Sequence, residues 1–224
     1  MKKLIIFGNG EMADISNYYF LKKRSVDFFC VDDDRIGVDH FLEKPIIPFS
    51  ELKNFDSNEY IFYVALAYKK QNKVREKKYN QIKKLGYKFE NFIHEKSYIA
   101  ENVKIGDNCF ILENQTIQSK VILGNNLIIW SSNHIGHGTK IASHTYLSSH
   151  VVISGNCDIG ERCFFGVNSS IKDNSSIGND VFIGMGSVIT NNLKSDSTTL
   201  NASTKIYNSD TKMNRLIKKK FFDL

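Results

Sequence analysis

Four histidines lie close together in the middle of the chain, and they are the side chains best suited to proton transfer. They are His134, His137, His144 and His150. An unperturbed imidazole titrates close to neutral pH, so a histidine can act as a general base under physiological conditions. The cluster therefore predicts acid–base chemistry, provided that the fold holds one of these side chains at a site.

The elements that would hold the histidines are marked by a six-residue repeat. From Ile99 to Ile189 every sixth residue is large and apolar, for sixteen consecutive steps. Neither the period of a helix nor that of a flat strand produces this spacing. It predicts short parallel strands, three to a coil, with stacked coils that share one core. The next residue is small in twelve of the sixteen steps, and the exceptions are Leu112, Gln118, Trp130 and Lys172.

A second segment that could do chemistry is the glycine-rich turn over residues 8–13, GNGEMA. It follows an apolar strand predicted over residues 2–7 and precedes a helix that reaches Leu21. In this context a G-x-G-x-x-A turn holds a phosphate at the helix N-terminus. An acidic cluster follows the next predicted strand, at about the distance where a carboxylate commonly contacts a ribose. The residues expected to bind a nucleotide are Gly8, Gly10, Glu11, Asp32 and Asp33.

The rest of the N-terminal segment continues the α/β pattern. A strand is predicted over residues 59–67, a helix over residues 70–85 and a last strand over residues 87–92. This unit is too short for two mononucleotide-binding halves, which argues against a dinucleotide oxidoreductase. A purely structural role for the glycines is the alternative. We expect a Rossmann-like domain over residues 1–95, a β-helix over 96–192, and a loop with a short basic helix over 193–224.

Composition narrows the class of protein. The 224 residues carry a net charge of +6. The charge is explained by lysines on solvated surfaces, and it would also attract small ligands rich in phosphate. The apolar runs are too short for a membrane span or a signal peptide, so a cytoplasmic protein is expected. No stretch combines aromatic and basic residues as in nucleic-acid binding. Of the four cysteines, Cys109, Cys157 and Cys163 occupy inward positions of the repeat, so we expect them to fill the core.

Three stretches of the repeat are similar to the hexapeptide repeats of left-handed parallel β-helix acyltransferases. They are residues 103–108 (VKIGDN), 157–163 (CDIGERC) and 175–181 (SSIGNDV). An α/β unit with GNGEMA, followed directly by such a coil, resembles the NeuD/PglD-like family of sugar N- and O-acetyltransferases. The resemblance implies a Rossmann-like domain joined to a left-handed parallel β-helix. It also implies acetyl-CoA as donor, a homotrimer, an active site between adjacent β-helices and a nucleotide sugar on the N-terminal domain.

The resemblance also implies roles for individual residues. Alignment of the hexads places the family's catalytic histidine on His137, with His134 as a second candidate. The backbone N–H that polarises the thioester falls on Gly155, eighteen residues later and so in the same column. The residues expected to contact CoA are Gly155, Val167, Gly184 and Met185. The acidic residue that often follows the family's histidine is Gly138 here, which leaves Glu113 or Asn133 to orient the base.

The hypothesis is an acetyl-CoA-dependent N-acetyltransferase that acts on a dTDP-, UDP- or GDP-linked deoxyamino sugar for surface glycan biosynthesis. The nearest alternative is O-acetylation of a sugar hydroxyl, as in sialic-acid O-acetyltransferases, since one base can serve either an amine or a hydroxyl acceptor. A non-enzymatic binding β-helix is a third interpretation. A zinc hydratase is disfavoured because the histidine spacings of three, seven and six residues lack a His-x4-His pair. We expect no metal, nucleic acid or membrane as a partner.

Overall fold

The chain folds into an α/β unit joined to a parallel β-helix and followed by a terminal helix. The structure is a computed structural model that describes residues 2–37, 39–202 and 208–222. The fold class is therefore the one expected, a Rossmann-like domain with a left-handed parallel β-helix of hexapeptide repeats.

The N-terminal unit is built on one twisted sheet in the order β3-β4-β2-β1-β5-β6, parallel except for the β3–β4 hairpin. Its strands are β1 (Lys3–Phe7), β2 (Phe28–Val31), β3 (His40–Phe41), β4 (Lys44–Pro48), β5 (Tyr60–Val64) and β6 (Lys88–Phe89). Its helices are α1 (Glu11–Phe20), α2 (Lys73–Lys84) and two 3₁₀ helices, Asp33–Arg35 and Phe49–Asn54. The strands and helices predicted here are confirmed, whereas β3 and β4 had no counterpart in the prediction.

The order of the strands creates a crevice. The chain runs from β1 outward through β2 and β4, and then returns to the other side of β1 as β5. Ligands bind at such switch points, outside the carboxyl ends of the strands. The apolar residues of α1, including Met12, Ala13 and Phe20, pack on one side of the sheet. Tyr79 and Ile82 of α2 pack on the other side.

The β-helix consists, within the described residues, of two-residue strands that form three flat faces. The first face contains β7 (Phe92–Ile93), β10 (Phe110–Ile111), β13 (Ile128–Ile129), β16 (Tyr146–Leu147), β19 (Phe164–Phe165), β22 (Phe182–Ile183) and β24 (Thr198–Thr199). The second contains β8 (Tyr98–Ile99), β11 (Thr116–Ile117), β14 (His134–Ile135), β17 (Val152–Ile153), β20 (Ser170–Ile171) and β23 (Val188–Ile189). The third contains β9 (Lys104–Ile105), β12 (Ile122–Leu123), β15 (Lys140–Ile141), β18 (Asp158–Ile159) and β21 (Ser176–Ile177).

Residues eighteen apart stack in register, as the repeat predicts. Ile117 of β11 pairs with Ile135 of β14, which in turn pairs with Ile153 of β17. The inward residues form one continuous core, in which Ile111, Ile135 and most of the others are completely buried. Burying this apolar column is the main force that closes the coils.

Each coil turns its corners through a residue in the left-handed conformation, three places after the inward residue. Asn108, Asn126, Asn156, Asn168 and Asn174 all have φ between 55° and 58°. Asparagine tolerates this conformation better than other residues with a side chain. The asparagine-rich composition of the β-helix therefore follows from its corners.

The first face carries the N-terminal unit. Its outward side chains are aromatic or large, and Phe92, Phe110, Ile128 and Tyr146 are buried in the core cluster that contains α1. Tyr68, which follows β5, meets the rings of Tyr146 and Phe164 edge-on. The two units therefore share a hydrophobic core, which fixes their relative position.

The coil extends beyond the range of the apolar repeat. It begins with β7, before residue 96, and the loop predicted over residues 193–210 is wrong for its first part. Leu193 forms a bridge with Ile177, and β24 pairs in parallel with β22. Residues 203–207 of that predicted loop lie outside the described residues. The basic helix is confirmed as α3 (Lys212–Phe222). Among the described residues no helix is long and apolar enough to cross a membrane.

Candidate active site and nucleotide cleft

His137 lies at the corner between the second and third faces of the β-helix, where its side chain is exposed. Its backbone N–H donates to Gln118 Oε1 at 2.9 Å, and its Nδ1 lies 3.3 Å from the same oxygen. Gln118 belongs to the preceding coil, and it is one of the four residues that break the small-residue rule. Where most hexads have a small residue, this one has a long polar side chain that reaches the histidine.

The imidazole of His137 lies directly over Gly155 of the next coil. A Cβ built on Gly155 would come within 2.6 Å of Cε1 and 2.9 Å of Nε2 of the ring. Such contacts are not sterically possible, so any side chain at Gly155 would displace the ring. The described residues provide no hydrogen-bond acceptor for the Gly155 N–H. This corner therefore combines a nitrogen base with an adjacent N–H that is free to bind an oxyanion.

The two expected orienting residues do not reach His137. Glu113 accepts hydrogen bonds from Ser131 Oγ at 2.9 Å and Tyr19 Oη at 3.2 Å, and it lies at the corner between the first and second faces. Asn133 binds the backbone of Trp130 and Val151. Within one chain neither Glu113 nor Asn133 contacts the ring of His137, because residue spacing places both at the other edge of the second face.

The other three histidines have different surroundings. His134 is half-buried on the flat second face, between Thr116 and Val152 of the neighbouring strands. His144 and His150 occupy left-handed corner positions, with φ of 69° and 59°. His150 is exposed, whereas His144 is buried against α2. The histidine cluster in the sequence is therefore not a cluster in space.

His144 ends a buried chain of hydrogen bonds that begins in the N-terminal sheet. The Val64 N–H donates to Asn108 Oδ1, the Asn108 amide to Asn126 Oδ1, and the Asn126 amide to His144 Nδ1. Burial and the nearby charge of Arg75 lower the pKa of His144 to about 4. A neutral His144 with an unprotonated Nδ1 is therefore part of the interface between the two units.

Three of the residues expected to contact CoA lie together. Val167, Gly184 and Met185 line a groove of about 470 Å³ that is completed by Leu200, Asn201 and Ala202. Met185 is 71% exposed. This groove follows β19 and β22, so it lies at the corner between the first and second faces. His137 and Gly155 lie at the opposite edge of the second face.

The second face separates these two halves. Its outward residues Tyr98, Val152 and Val188 are exposed by 65%, 43% and 71%. A single chain thus presents the base at one edge of a partly apolar face and the groove at the other edge.

The second candidate site is a cleft of about 520 Å³ at the carboxyl ends of β1, β2 and β5. Four of the five residues expected to bind a nucleotide line it, namely Gly8, Gly10, Glu11 and Asp32. The cleft is also lined by four basic residues that were not expected from the sequence: Arg35, Lys69, Lys70 and Lys78. Their positions along the chain gave no signal, because only the switch in strand order brings them together.

The two glycines of the turn serve different purposes. Gly8 has φ of 124°, and a Cβ on it would lie 2.9 Å from the carbonyl oxygen of Ala65. Gly8 is therefore required for packing against β5. A Cβ on Gly10 would meet nothing within 4 Å. Gly10 caps α1 without a side-chain hydrogen bond, so the first N–H groups of the helix face the cleft.

The two aspartates also differ. Asp32 pairs with Lys78, whose ammonium group lies 3.9 Å from the ring centre of Phe49. Asp33 accepts hydrogen bonds from the N–H and hydroxyl of Ser50, which lower its pKa. Asp33 does not line the cleft, although it lines a neighbouring depression. Its expected contact with a nucleotide is therefore not supported by the geometry, because its oxygen Oδ1 is used to hold the second 3₁₀ helix.

No group of three or more His, Cys, Asp or Glu side chains that could hold a metal ion occurs among the described residues. Burial raises the pKa of the Cys109 thiol to about 12 and that of Cys163 to about 11. These thiols are core side chains rather than nucleophiles.

Comparisons with known proteins agree with this architecture. A family profile described as "Bacterial transferase hexapeptide (six repeats)" matches residues 156–191. No curated protein sequence matches significantly. One similar solved structure is a mutant of perosamine N-acetyltransferase from Caulobacter crescentus in complex with CoA and GDP-perosamine. It has a TM-score of 0.81 and 19% identity over 93% of this chain and 98% of the other.

Two further structures have the same arrangement. The acetyltransferase domain of PglB from Neisseria gonorrhoeae, in complex with acetyl coenzyme A, has a TM-score of 0.77 and 21% identity. That match covers 88% of this chain and 95% of the other. WeeI from Acinetobacter baumannii AYE has a TM-score of 0.70 and 17% identity over 90% and 97% of the two chains. At these identities the matches establish a common fold, and at that level the resemblance to hexapeptide-repeat sugar acyltransferases is confirmed.

Proposed function

We propose that the protein is an acetyl-CoA-dependent N-acetyltransferase that acts on the amino group of a nucleotide-linked deoxyamino sugar. The observation that carries the proposal is the contact between the imidazole of His137 and Gly155. It places a general base beside an N–H without an acceptor, on the scaffold of proteins whose structures contain CoA and GDP-perosamine. The product would be an N-acetylated sugar suited to surface glycan biosynthesis.

The chemistry needs one base and one oxyanion donor. The sugar amine attacks the thioester carbonyl, and His137 Nε2 accepts the proton that the nitrogen loses. The Gly155 N–H donates to the carbonyl oxygen as it becomes negative. The carbon–sulfur bond then breaks, and the thiolate of CoA takes the proton from the imidazolium. Charge and protons balance without a metal ion.

The acetyl donor is proposed to lie in a site shared by two copies of the chain. The groove of Val167, Gly184 and Met185 lies at one edge of the second face, and His137 and Gly155 lie at the other. Two β-helices packed side by side would bring these opposite edges together. This geometry supports the homotrimer that the family resemblance implies.

The nucleotide is proposed to bind in the cleft of the N-terminal unit. Four basic side chains and the N-terminus of α1 provide positive potential for a diphosphate. Asp32 is available to accept hydrogen bonds from a ribose while Lys78 holds it in place. Glu11, the first residue of α1, lines the same cleft, and we assign its carboxylate to a hydroxyl of the ligand.

Transfer to a sugar hydroxyl is the alternative on this site, because the same base and N–H serve an oxygen nucleophile. A screen of amino and hydroxyl nucleotide sugars with acetyl-CoA, following thiol release and product mass, separates the two. We expect turnover with a nucleotide-linked amino sugar. A protein that binds nucleotide sugars but releases no CoA with any acceptor would be a non-enzymatic binding β-helix.

The decisive variant is His137→Ala. General-base catalysis typically contributes about 10²–10⁴-fold, so kcat should fall by that order. The fold should persist, because the exposed side chain adds little buried area. His134→Ala is the matched control, since this residue lies in the same coil but on the flat second face. If both variants turn over like the wild type, the proposed site is wrong.

A further inference from the structure

The geometry points to Gln118 as the positioning residue that sets the tautomer of His137. This inference rests on the proposed function, and it concerns a residue outside the segment that contains the histidine. Gln118 is half-buried in the coil before His137, and its side chain replaces the small residue that the repeat prefers.

The identity of the Gln118 atom that faces His137 follows from the backbone. A backbone N–H can only donate, and the His137 N–H lies 2.9 Å from Gln118 Oε1. The facing atom is therefore the amide oxygen and not the amide nitrogen, which settles an assignment that side-chain amides otherwise leave open.

The same oxygen then determines the state of the ring. An amide oxygen can only accept, and it lies 3.3 Å from His137 Nδ1. Nδ1 must therefore carry the hydrogen, and in the neutral ring the lone pair is on Nε2. Gln118 thus keeps the basic lone pair on Nε2, the ring nitrogen that is free to meet the attacking group of the sugar. Gly155, which lies beneath the ring and has no side chain, leaves room for this orientation.

Gln118 differs from a carboxylate partner in one respect, because it does not stabilise the charged imidazolium. The other ionisable groups of the surrounding turns are Lys120, Lys140, Lys172, Glu101 and Asp173. Within the described residues none of them forms an ion pair or a hydrogen bond with the ring of His137. A neutral partner therefore fixes the tautomer of His137 without adding a negative charge beside the ring.

Two substitutions at Gln118 separate the effect of a hydrogen-bond acceptor from the effect of a negative charge. Gln118→Leu keeps the approximate volume of the side chain but removes the hydrogen-bond acceptor. We expect kcat to fall at least about tenfold, with little change in the KM for acetyl-CoA or for the nucleotide sugar. A catalytic histidine in the wrong tautomer can lose up to about 10⁴-fold. Gln118→Glu restores the acceptor, so kcat at high pH should recover. The acid limb of its pH–rate profile should move up by roughly one pH unit, since a carboxylate favours the imidazolium.

The matched control is Thr190→Leu, at the same column position four coils further along the second–third corner. It should keep wild-type kcat and pH profile. A readout independent of turnover is the ¹⁵N spectrum of the His137 ring. We expect Nδ1 to be protonated in the wild type and the two tautomers to mix in Gln118→Leu.

The outcomes distinguish this inference from the proposed function. If the spectrum shows a protonated Nε2 in the wild type, or if Gln118→Leu retains kcat, the positioning role is overturned. If no nucleotide sugar supports thiol release while the spectrum shows protonated Nδ1 in the wild type and mixed tautomers in Gln118→Leu, the proposed function fails but Gln118 still sets the tautomer.

Discussion

Gly155 is the residue on which the geometry of the candidate site depends, because the imidazole of His137 lies where its side chain would be. We expect Gly155→Ala to lower kcat by about 10²–10⁴-fold, the usual contribution of a general base, because the base would be displaced. The added methyl would lie 2.6 Å from Cε1 of His137, so the ring must leave its place beside the Gly155 N–H. Steady-state kinetics and a thermal melt would measure the two consequences separately.

The melt provides the control for Gly155→Ala. The backbone of Gly155 is not in the left-handed conformation, so alanine brings no backbone strain and Tm should change little. A variant that is destabilised without a loss of kcat would mean that the glycine serves packing alone.

At the scale of residues, the sequence predicted that His137 and Gly155 lie together, but it did not predict which side chains surround them. His137 and Gly155 are eighteen residues apart, so the period of the repeat is enough to place them in one column. Gln118 stands out in the sequence as an exception to the small-residue rule, yet the repeat does not indicate which neighbour its side chain reaches. Glu113 and Asn133 have side chains suited to orienting a base, but within one chain they lie across the second face from His137.

At the scale of elements, the turn between β1 and α1 offers a test of the nucleotide cleft without loss of the fold. Gly10→Ala should bind a nucleotide sugar at least about tenfold more weakly, because its Cβ would project where the phosphates approach the helix N-terminus. Its melting temperature should stay near that of the wild type, since no atom lies within 4 Å of the new methyl. Calorimetric titration measures the binding.

Gly8→Ala is the contrasting variant for this cleft. Its φ of 124° and the nearby carbonyl of Ala65 should make the protein markedly less stable or insoluble. Unchanged binding by Gly10→Ala would argue that the glycine turn serves packing alone.

The interface between α2 and the β-helix should make the stability of the protein depend on pH. The pKa of His144 is about 4 in the folded chain, below its ordinary value of 6.5. A depressed histidine pKa contributes stability that is complete above pH 6.5 and is lost as the pH falls toward 4. Protonation of Nδ1 would also set it against the Asn126 amide, which is a donor. Denaturant unfolding at about pH 7 and about pH 4.5 should therefore show a marked loss of stability at the lower pH.

The variant His144→Asn should reduce that loss, because asparagine continues the ladder of Asn108 and Asn126 and does not titrate. His150→Asn is the matched control, since His150 has the same left-handed conformation but is exposed. It should keep the wild-type pH dependence. Equal pH dependence in all three proteins would show that His144 is not the titrating group.

The elements themselves could be predicted well where periodicity governs them. The strands of the β-helix follow from one inward apolar residue every six positions. The loop predicted after residue 192 is wrong at its start because Thr198 and Thr199 pair through backbone hydrogen bonds, which need no apolar residue. The aromatic residues at Phe110, Tyr146 and Phe164 recur at multiples of eighteen and so mark the face that the N-terminal unit covers.

At the scale of the whole molecule, the shared core of the two units fixes the proposed nucleotide cleft relative to the β-helix. Arg162 pairs with Glu76 of α2 at 3.1 Å and with Asp180 of the β-helix at 3.0 Å. Arg75, fully buried, donates to the carbonyl oxygen of His144 at 2.8 Å. The period of the repeat places Arg162 and Asp180 in one column, but the sequence could not predict the contacts with α2, because they join residues that are distant along the chain.

The separation of the base from the proposed CoA groove leads to a prediction for mixtures of inactive chains. His137→Ala removes the base and keeps the groove, whereas Met185→Trp fills the groove from an exposed position and keeps the base. Each homogeneous variant should be inactive. If one site combines the second–third corner of one copy with the first–second corner of another, co-expressed chains regain sites in which both halves are intact. Random assembly in a closed ring gives such a site with a probability of about one quarter. Activity per chain, measured as thiol release by co-purified mixed oligomers, should therefore recover to roughly that fraction of wild type.

Chains that each held a complete site would recover nothing on mixing, since every chain carries one of the two lesions. That result, or a stable monomer by light scattering at assay concentration, would contradict the shared site.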